Sequence, residues 1–250
     1  MKRKIIEAKN VKKSFNTGGI NNLVIKDLNL DIFEGDFTVI MGASGSGKST
    51  ILYLLSGMDK TTEGDIVFEN KNLKKEKGKK IAEFRRNKIG FVFQGINLIP
   101  YLSVLENVIV AGYLRNETKK NILDESKKLL KRVGLGEAFY KKPSQISGGQ
   151  AQRAAIVRAL INKPSVVFAD EPTGALNSTN GKEILDIMTE INMDGQNIVM
   201  VTHDAKAALR GNRIIYIKDG EITGDLELEK YEESKEREAK LHTFLSERGW

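Results

Sequence analysis

The run Gly42-Ala43-Ser44-Gly45-Ser46-Gly47-Lys48-Ser49 fits the spacing G-x-x-x-x-G-K-[ST]. It lies between two apolar stretches. Phe-Thr-Val-Ile-Met at 37–41 reads as a buried strand, and Ile-Leu-Tyr-Leu-Leu at 51–55 reads as the start of a helix. Few local structures join a strand to a helix through so many glycines. Gly42, Gly45 and Gly47 let the backbone fold tightly, so that consecutive N–H groups converge on phosphate oxygens. A helix opening near Gly47 adds the positive end of its dipole. Lys48 can reach the β and γ phosphates as a point charge, and the Ser49 hydroxyl suits Mg²⁺. Ser44 and Thr50 belong to the same phosphate-binding set. A phosphate loop alone indicates a nucleoside triphosphate and leaves kinases, GTPases and ATPases open.

The rest of the chain reads as an α/β protein with a parallel sheet, because strand-like and helix-like patterns alternate. Strands are expected at 4–8, 24–32, 37–41, 64–68, 89–93, 197–201 and 213–217, and helices at 81–87, 149–161 and 179–191. The stretch 104–133 is helical with a break near Asn116 and interrupts the alternation as an inserted helical subdomain. Ser-Val-Val-Phe-Ala-Asp at 165–170 is a continuous apolar run ending in acid, as a central parallel strand would be. Asp170 at that strand's end is expected to hold Mg²⁺ through water. Glu171 is expected to polarise the attacking water as general base.

Composition closes off other chemistries. The 250 residues include no cysteine and two histidines, which excludes disulfides, thiolate zinc sites and cysteine nucleophiles and leaves little for a His-rich metal site. The opening residues carry no long apolar stretch behind their charges, and nothing approaches the ~18 apolar residues of a membrane span. A cytoplasmic chain is expected. Between residues 71 and 88 there are nine Lys or Arg (71, 74, 75, 77, 79, 80, 85, 86, 88) and two Glu (76, 83), a net +7 that equals the net charge of the whole chain. That run reads as a solvated loop and surface helix, or as a contact for anionic lipid or nucleic acid. It lacks the interleaved aromatics of a single-strand platform. The tail from 226 is rich in Glu and Lys, with Leu241, Phe244, Leu245 and Trp250 near helical spacing. It is expected to form a helix docked on the body, with a partner-binding helix as the alternative.

Ile146-Ser147-Gly148-Gly149-Gln150, followed by Ala-Gln-Arg-Ala-Ala-Ile-Val-Arg-Ala-Leu, resembles the LSGGQ signature of ABC ATPases, with Ile in place of the first Leu. The resemblance extends over nearly the whole chain. It implies an ABC ATPase core with a parallel sheet, an N-terminal antiparallel β subdomain and an inserted α-helical subdomain. It implies ATP and Mg²⁺ as ligands, and a second copy whose Ser147, Gly148, Gly149 and Gln150 dock on the γ-phosphate held by the first. Gln94 looks like the Q-loop glutamine, expected to touch Mg²⁺ and sense a transmembrane partner. His203, in Met-Val-Thr-His-Asp, looks like the switch histidine beside the γ-phosphate, and Phe15 like the aromatic that stacks on adenine. Gly174-Ala175-Leu176-Asn177 occupies the D-loop, where most relatives end in Asp.

The segment at 89–108 resembles the macrolide-export and lipoprotein-release branch. Glu-Pro-Thr-Gly-Ala-Leu-Asn-Ser and the terminal Phe-Leu-Ser-Glu-Arg-Gly-Trp look like ATP-binding subunits of bacitracin- and lantibiotic-type resistance transporters. These resemblances imply an ATPase domain over 1–226, with a helical subdomain over about 96–163, and a C-terminal helix in 227–250. They imply a bacterial subunit on the cytoplasmic face of the plasma membrane, driving a separate permease and serving antimicrobial peptide resistance, with no nucleic acid partner. The alternatives are a permease-like partner for lipoprotein release or cell-division control, a non-transport ABC ATPase acting on DNA or ribosomes, and a simple P-loop kinase.

Overall fold

The computed structural model describes residues 2–115 and 117–250. The break expected near Asn116 lies outside the described residues. In chain order the strands are β1 (Lys4–Thr17), β2 (Ile20–Phe33), β3 (Phe37–Met41), β4 (Glu63–Phe68), β5 (Lys71–Asn72), β6 (Ile89–Val92), β7 (Val166–Asp170), β8 (Asn197–Thr202), β9 (Arg213–Lys218) and β10 (Glu221–Glu227). The α-helices are α1 (Lys48–Leu55), α2 (Lys79–Lys88), α3 (Val104–Gly112), α4 (Lys119–Arg132), α5 (Gly148–Leu160), α6 (Ser178–Met193), α7 (Ala205–Ala208) and α8 (Lys235–Ser246). They fall into two compact units, residues 1–82 with 195–250, and residues 83–194.

The first unit holds an antiparallel sheet in the order β2-β1-β4-β5. β1 and β2 form a hairpin closed by Gly18 and Gly19, both at positive φ (60° and 86°), as a two-residue turn between right-twisted strands requires. Both strands run longer than their apolar stretches suggest. Next to the turn, Asn16, Ile20, Asn21 and Asn22 are exposed and continue the backbone ladder, while Val11 and Lys13, earlier in β1, are buried. In the same unit β3 lies parallel between β8 and β9, and β10 pairs antiparallel with β9. All five residues of β3 are buried, which suits a central parallel strand covered on both faces.

Strand β10 carries no clear signal in the sequence. Its residues alternate between exposed and half-buried, with no buried position to mark a strand. In the tail, α8 buries Leu241, Phe244 and Leu245 in this unit, and Trp250 meets the Tyr216 ring edge-on at 6.3 Å.

In the second unit β6 and β7 pair in parallel, Ile89 opposite Val166 and Val92 opposite Ala169. Helices α3, α4 and α5 enclose a core that includes Val104, Val108, Ile122, Leu130, Val157 and Ile161. The start of α3 is held by a capping box, in which Ser103 Oγ accepts from Glu106 N and Glu106 Oε2 accepts from Ser103 N. In the basic run, Lys71, Lys74, Lys75, Lys77, Lys79 and Lys80 are exposed, while Phe84 is the buried residue of α2. Among the described residues no helix is long and apolar enough to cross a membrane.

Candidate active site

The glycine-rich run leaves β3 at Met41 and enters α1 at Lys48. Gly42 sits at φ 155°, and a Cβ there would stand 2.2 Å from the backbone oxygen of Ile217, so the loop must pass bare against β9. Gly47 is the N-cap of α1 at φ 98° and provides no side-chain cap, which leaves the first amides of the helix without that competitor. A Cβ on Gly47 would stand 2.7 Å from Ile25 Cδ1 of β2. The tip, Ala43-Ser44-Gly45, is exposed, and Ser46 N donates to Ala43 O at 3.2 Å.

Lys48 is buried, and its Nζ donates to Gly42 O and Ala43 O, each at 2.8 Å. The ammonium is thereby folded back over its own loop. Ser46 Oγ is buried and has no hydrogen-bond partner among the described residues. A buried cation, helix amides without a side-chain cap and a buried hydroxyl around one turn fit an anionic phosphate group. Ser49 and Thr50 follow in the first turn of α1, half-buried.

His203 follows the last residue of β8 and is exposed. The turn that carries it is pinned by Asp204, whose N–H donates to Thr202 Oγ1 at 3.0 Å and whose Oδ1 accepts from Lys206 N at 2.8 Å to cap α7. Phe15 lies on β1 and is 40% exposed, so its ring surface is open to a flat partner. Lys13 Nζ stands 4.7 Å from the centre of that ring and is itself held by Asp59 Oδ1 at 2.8 Å.

In the second unit β7 delivers Asp170 buried at its carboxyl end. The next residue, Glu171, takes a left-handed backbone at φ 45°, an uncommon conformation for a carboxylate side chain, and the chain turns there. Gly174 N closes the turn on Glu171 O at 3.0 Å. Gln94 follows the neighbouring strand β6, and its side chain reaches this turn: a Cβ on Gly174 would meet Gln94 Nε2 at 2.9 Å and Glu171 O at 3.4 Å. The Gln94 side chain therefore lies against the turn that Glu171 opens.

Ser147 caps α5 and forms a capping box with Gln150: Ser147 Oγ accepts from Gln150 N at 3.2 Å, and Gln150 Oε1 accepts from Ser147 N at 2.9 Å. Ser147 and Gly148 are exposed, so the start of α5 presents a hydroxyl and bare backbone on the surface of this unit. Gly149 is buried because a Cβ there would run into Asn180 of α6 at 2.8 Å. Asn177 accepts from Asn180 N at 2.9 Å and caps α6, and an uncharged amide is sufficient for that task.

Two further residues, Gly220 and Gln152, support these loops without belonging to any of the motifs. Gly220, in the β9–β10 turn, donates its N–H to Ser46 O at 3.3 Å and packs so closely that a Cβ would lie 2.1 Å from Val24 O. An Asp-Gly pair between alternating segments was the available signal for it. Gln152 of α5 is buried at 1% exposure and donates to Pro172 O at 2.9 Å and to Phe93 O at 3.4 Å. A lone glutamine in a helix carries no pattern that announces such a contact. Among the described residues no cluster of three or more His, Asp or Glu is arranged as a metal site.

The ABC transporter family profile matches residues 25–174. The macrolide export ATP-binding/permease protein MacB of Wolinella succinogenes is 41% identical over 229 residues, which cover 89% of this chain and 35% of that protein. The chain thus spans about a third of the length of MacB, 35%. The lipoprotein-releasing system ATP-binding protein LolD of Aquifex aeolicus is 43% identical over 222 residues, 89% of this chain and 97% of LolD. Among solved structures, a dimer of the ATP-binding cassette MJ0796 of Methanocaldococcus jannaschii, in a post-hydrolysis state with ADP and Pi, superposes with a TM-score of 0.83 at 41% identity, covering 90% of this chain and 100% of that one.

Proposed function

This chain belongs to the ABC transporter family of ATP-binding cassettes, and from that premise we propose that it binds and hydrolyses ATP to drive a separate membrane permease. The observation that carries the proposal is the buried Lys48 ammonium, folded over Gly42 O and Ala43 O beside the N-terminus of α1. Phosphate oxygens replace those carbonyls as partners of the lysine. The first amides of α1 and the Ser46 hydroxyl hold the same group, and Phe15 stacks on the base. Ser44, Gly45, Gly47, Ser49 and Thr50 complete the phosphate contacts.

Glu171 is the proposed general base, accepting the proton of the water that attacks the γ-phosphate. The left-handed backbone at φ 45° aims its carboxylate differently from a continued strand. His203 hydrogen-bonds the γ-phosphate. Ser49, Gln94 and Asp170 are proposed as Mg²⁺ ligands. The family resemblance supports this assignment, and each side chain offers an oxygen donor of the kind a hard cation prefers; such a cation, when bound, would neutralise phosphate charge.

The exposed start of α5, with Ser147, Gly148, Gly149 and Gln150, docks on the γ-phosphate held by a second copy. Two chains then pair head to tail around two ATP molecules, as a closed two-fold assembly. The solved MJ0796 dimer supports this pairing. Within the chain, residues 1–226 act as the ATPase domain, 96–163 as the helical subdomain that faces the permease, and 227–250 as a docked tail. The cassette then sits on the cytoplasmic face of the membrane beside its permease.

The similarity to MacB and LolD supports a role in macrolide export or lipoprotein release. The segments 171–178 and 244–250 favour an antimicrobial peptide resistance transporter as the finer reading. The test has two parts. The purified chain with its co-expressed permease should turn over ATP, with Lys48→Ala abolishing turnover. Loss of the gene should raise sensitivity to bacitracin- or lantibiotic-type peptides while lipoprotein localisation stays normal. Mislocalised lipoproteins with unchanged peptide sensitivity would replace the resistance reading by a lipoprotein-release one.

A further inference from the structure

We infer that Gln152 is a positioning residue that ties the signature helix to the two loops carrying Glu171 and Gln94, so that its side-chain amide sets the hydrolytic geometry without touching nucleotide. The inference rests on the roles proposed above for Glu171 and Gln94. Gln152 lies one turn beyond Ser147 on α5, and its Nε2 donates to Pro172 O at 2.9 Å and to Phe93 O at 3.4 Å. Pro172 follows Glu171 directly, and Phe93 precedes Gln94 directly. One amide group therefore grips both backbones at the position next to each reactive side chain.

The orientation of that amide is dictated by its surroundings. Both neighbours are carbonyl oxygens, so a flipped amide would set its own oxygen against two acceptors. Gln152 Oε1 is buried and has no partner among the described residues, so the two N–H bonds alone orient the group. Proline at 172 has no N–H to donate, and its carbonyl is the hydrogen-bonding group its backbone offers. A buried carbonyl left without a donor is costly, so displacing Gln152 displaces the turn behind Glu171.

The helix that carries Gln152 is itself firmly placed. The Ser147–Gln150 capping box holds its first turn, Gly149 packs on Asn180, and Arg153 pairs with Glu183 of α6. A force applied at Ser147 or Gly148 thus passes through one rigid turn of helix to Gln152. From there it reaches the Glu171 turn and the Gln94 strand end together. Gln94 Nε2 already lies against Gly174 in that turn. Docking at the signature and alignment of the base are in this way one mechanical event.

The test uses the full-length chain and compares Gln152→Leu, Gln152→Glu and Glu171→Gln for kcat, KM for ATP, ATP affinity at equilibrium and thermal stability. Gln152→Leu keeps an apolar body of similar size and removes the donor. Its kcat should fall roughly tenfold to a hundredfold, the range expected when a reacting group is misplaced, while ATP affinity stays within about twofold. Gln152→Glu has a donor only when protonated, and burial raises the pKa of an unpaired carboxyl. Its kcat relative to wild type should therefore climb as pH is lowered, whereas that of Gln152→Leu should stay flat.

A Gln152→Leu chain with wild-type kcat would overturn the inference. So would a loss explained entirely by the unfolded fraction, or a Gln152→Glu ratio that does not change with pH. If Glu171→Gln itself keeps wild-type turnover, the reading of the base has failed. If Glu171→Gln is inactive and the Gln152 variants are not, the inference alone has failed.

Discussion

Met41 at the end of β3 stands in register with Thr202 at the end of β8, so the loop that carries Lys48 and the turn that carries His203 leave their sheet at the same level. Parallel strands end together in this way wherever an α/β protein collects its ligand-binding loops, at the carboxyl edge of the sheet. The shared edge puts Lys48, at the start of α1, and His203, just past β8, beyond the ends of two paired strands, where the proposed phosphate contacts need them.

Replacing Lys48 by Ala removes the buried cation and the charge-assisted bonds it would give to phosphate. ATP affinity should weaken by about tenfold to a hundredfold, the equivalent of one charged hydrogen-bonding group. Titration calorimetry of the variant checks this, and an unchanged dissociation constant would argue against the phosphate loop.

Gly220 braces the phosphate loop through its N–H bond to Ser46 O, and it does so at φ 78° with no room for a side chain. Gly220→Ala forces a Cβ toward Val24 O, at 2.1 Å before any relaxation. The variant should lose about 1–3 kcal/mol of stability and bind ATP more weakly than wild type. Urea denaturation and nucleotide titration should move together. A stable variant with normal affinity would show that the β9–β10 turn does not support the loop.

Arg237 anchors the start of α8. Its Nε donates to Leu209 O at 2.7 Å, its Nη1 to Glu229 O at 2.9 Å, and its Nη2 to Gly211 O, while the guanidinium lies 5.4 Å from the centre of the Tyr231 ring. Burial pulls its pKa below the ordinary arginine value. Arg237→Met strands three carbonyls and should cost about 2–4 kcal/mol. Arg237→Lys, with a shorter reach and no fork, should restore only part of that. Equal stability of all three chains in chemical denaturation would mean that α8 is held by its apolar stripe alone.

The capping box of α3 gives a pH signature. Bonds from the Ser103 hydroxyl and backbone hold the Glu106 carboxyl below its ordinary value of 4.5. A carboxylate lowered on folding stabilises the native state above its unfolded pKa, and that contribution disappears as pH falls through the folded value. Thermal melting of the wild type should therefore lose more between about pH 5 and pH 3 than melting of Glu106→Gln. Parallel melting curves for the two chains would rule out a role for this carboxylate in the acid limb.

The parts of the site that were legible in the sequence are those whose chemistry demands particular residues in succession. Gly42, Gly45 and Gly47 all sit at positive φ, and a Cβ on Gly42 or Gly47 would run into Ile217 O or Ile25 Cδ1. A buried parallel strand must be apolar along its whole length, so β3 and β7 stood out. What escaped was positioned by tertiary contact. β10 shows only a weak alternation because neither face is fully buried. The hairpin outgrew its apolar stretches because polar residues around Gly18 and Gly19 extend a backbone ladder that needs no side chains. Gln152 and Gly220 act through backbone carbonyls far away in sequence, and no local pattern encodes such a partner.

The central claim is that two copies share each nucleotide, one giving Lys48 and Glu171 and the other giving Ser147. Sedimentation of the Glu171→Gln chain tests it most directly, because blocked hydrolysis should preserve the closed state. The account predicts a dimer in ATP that reverts to monomer in ADP, with dimerisation abolished by Ser147→Arg in the same background. A Glu171→Gln chain that binds ATP fully and still sediments as a monomer at micromolar concentration would contradict it.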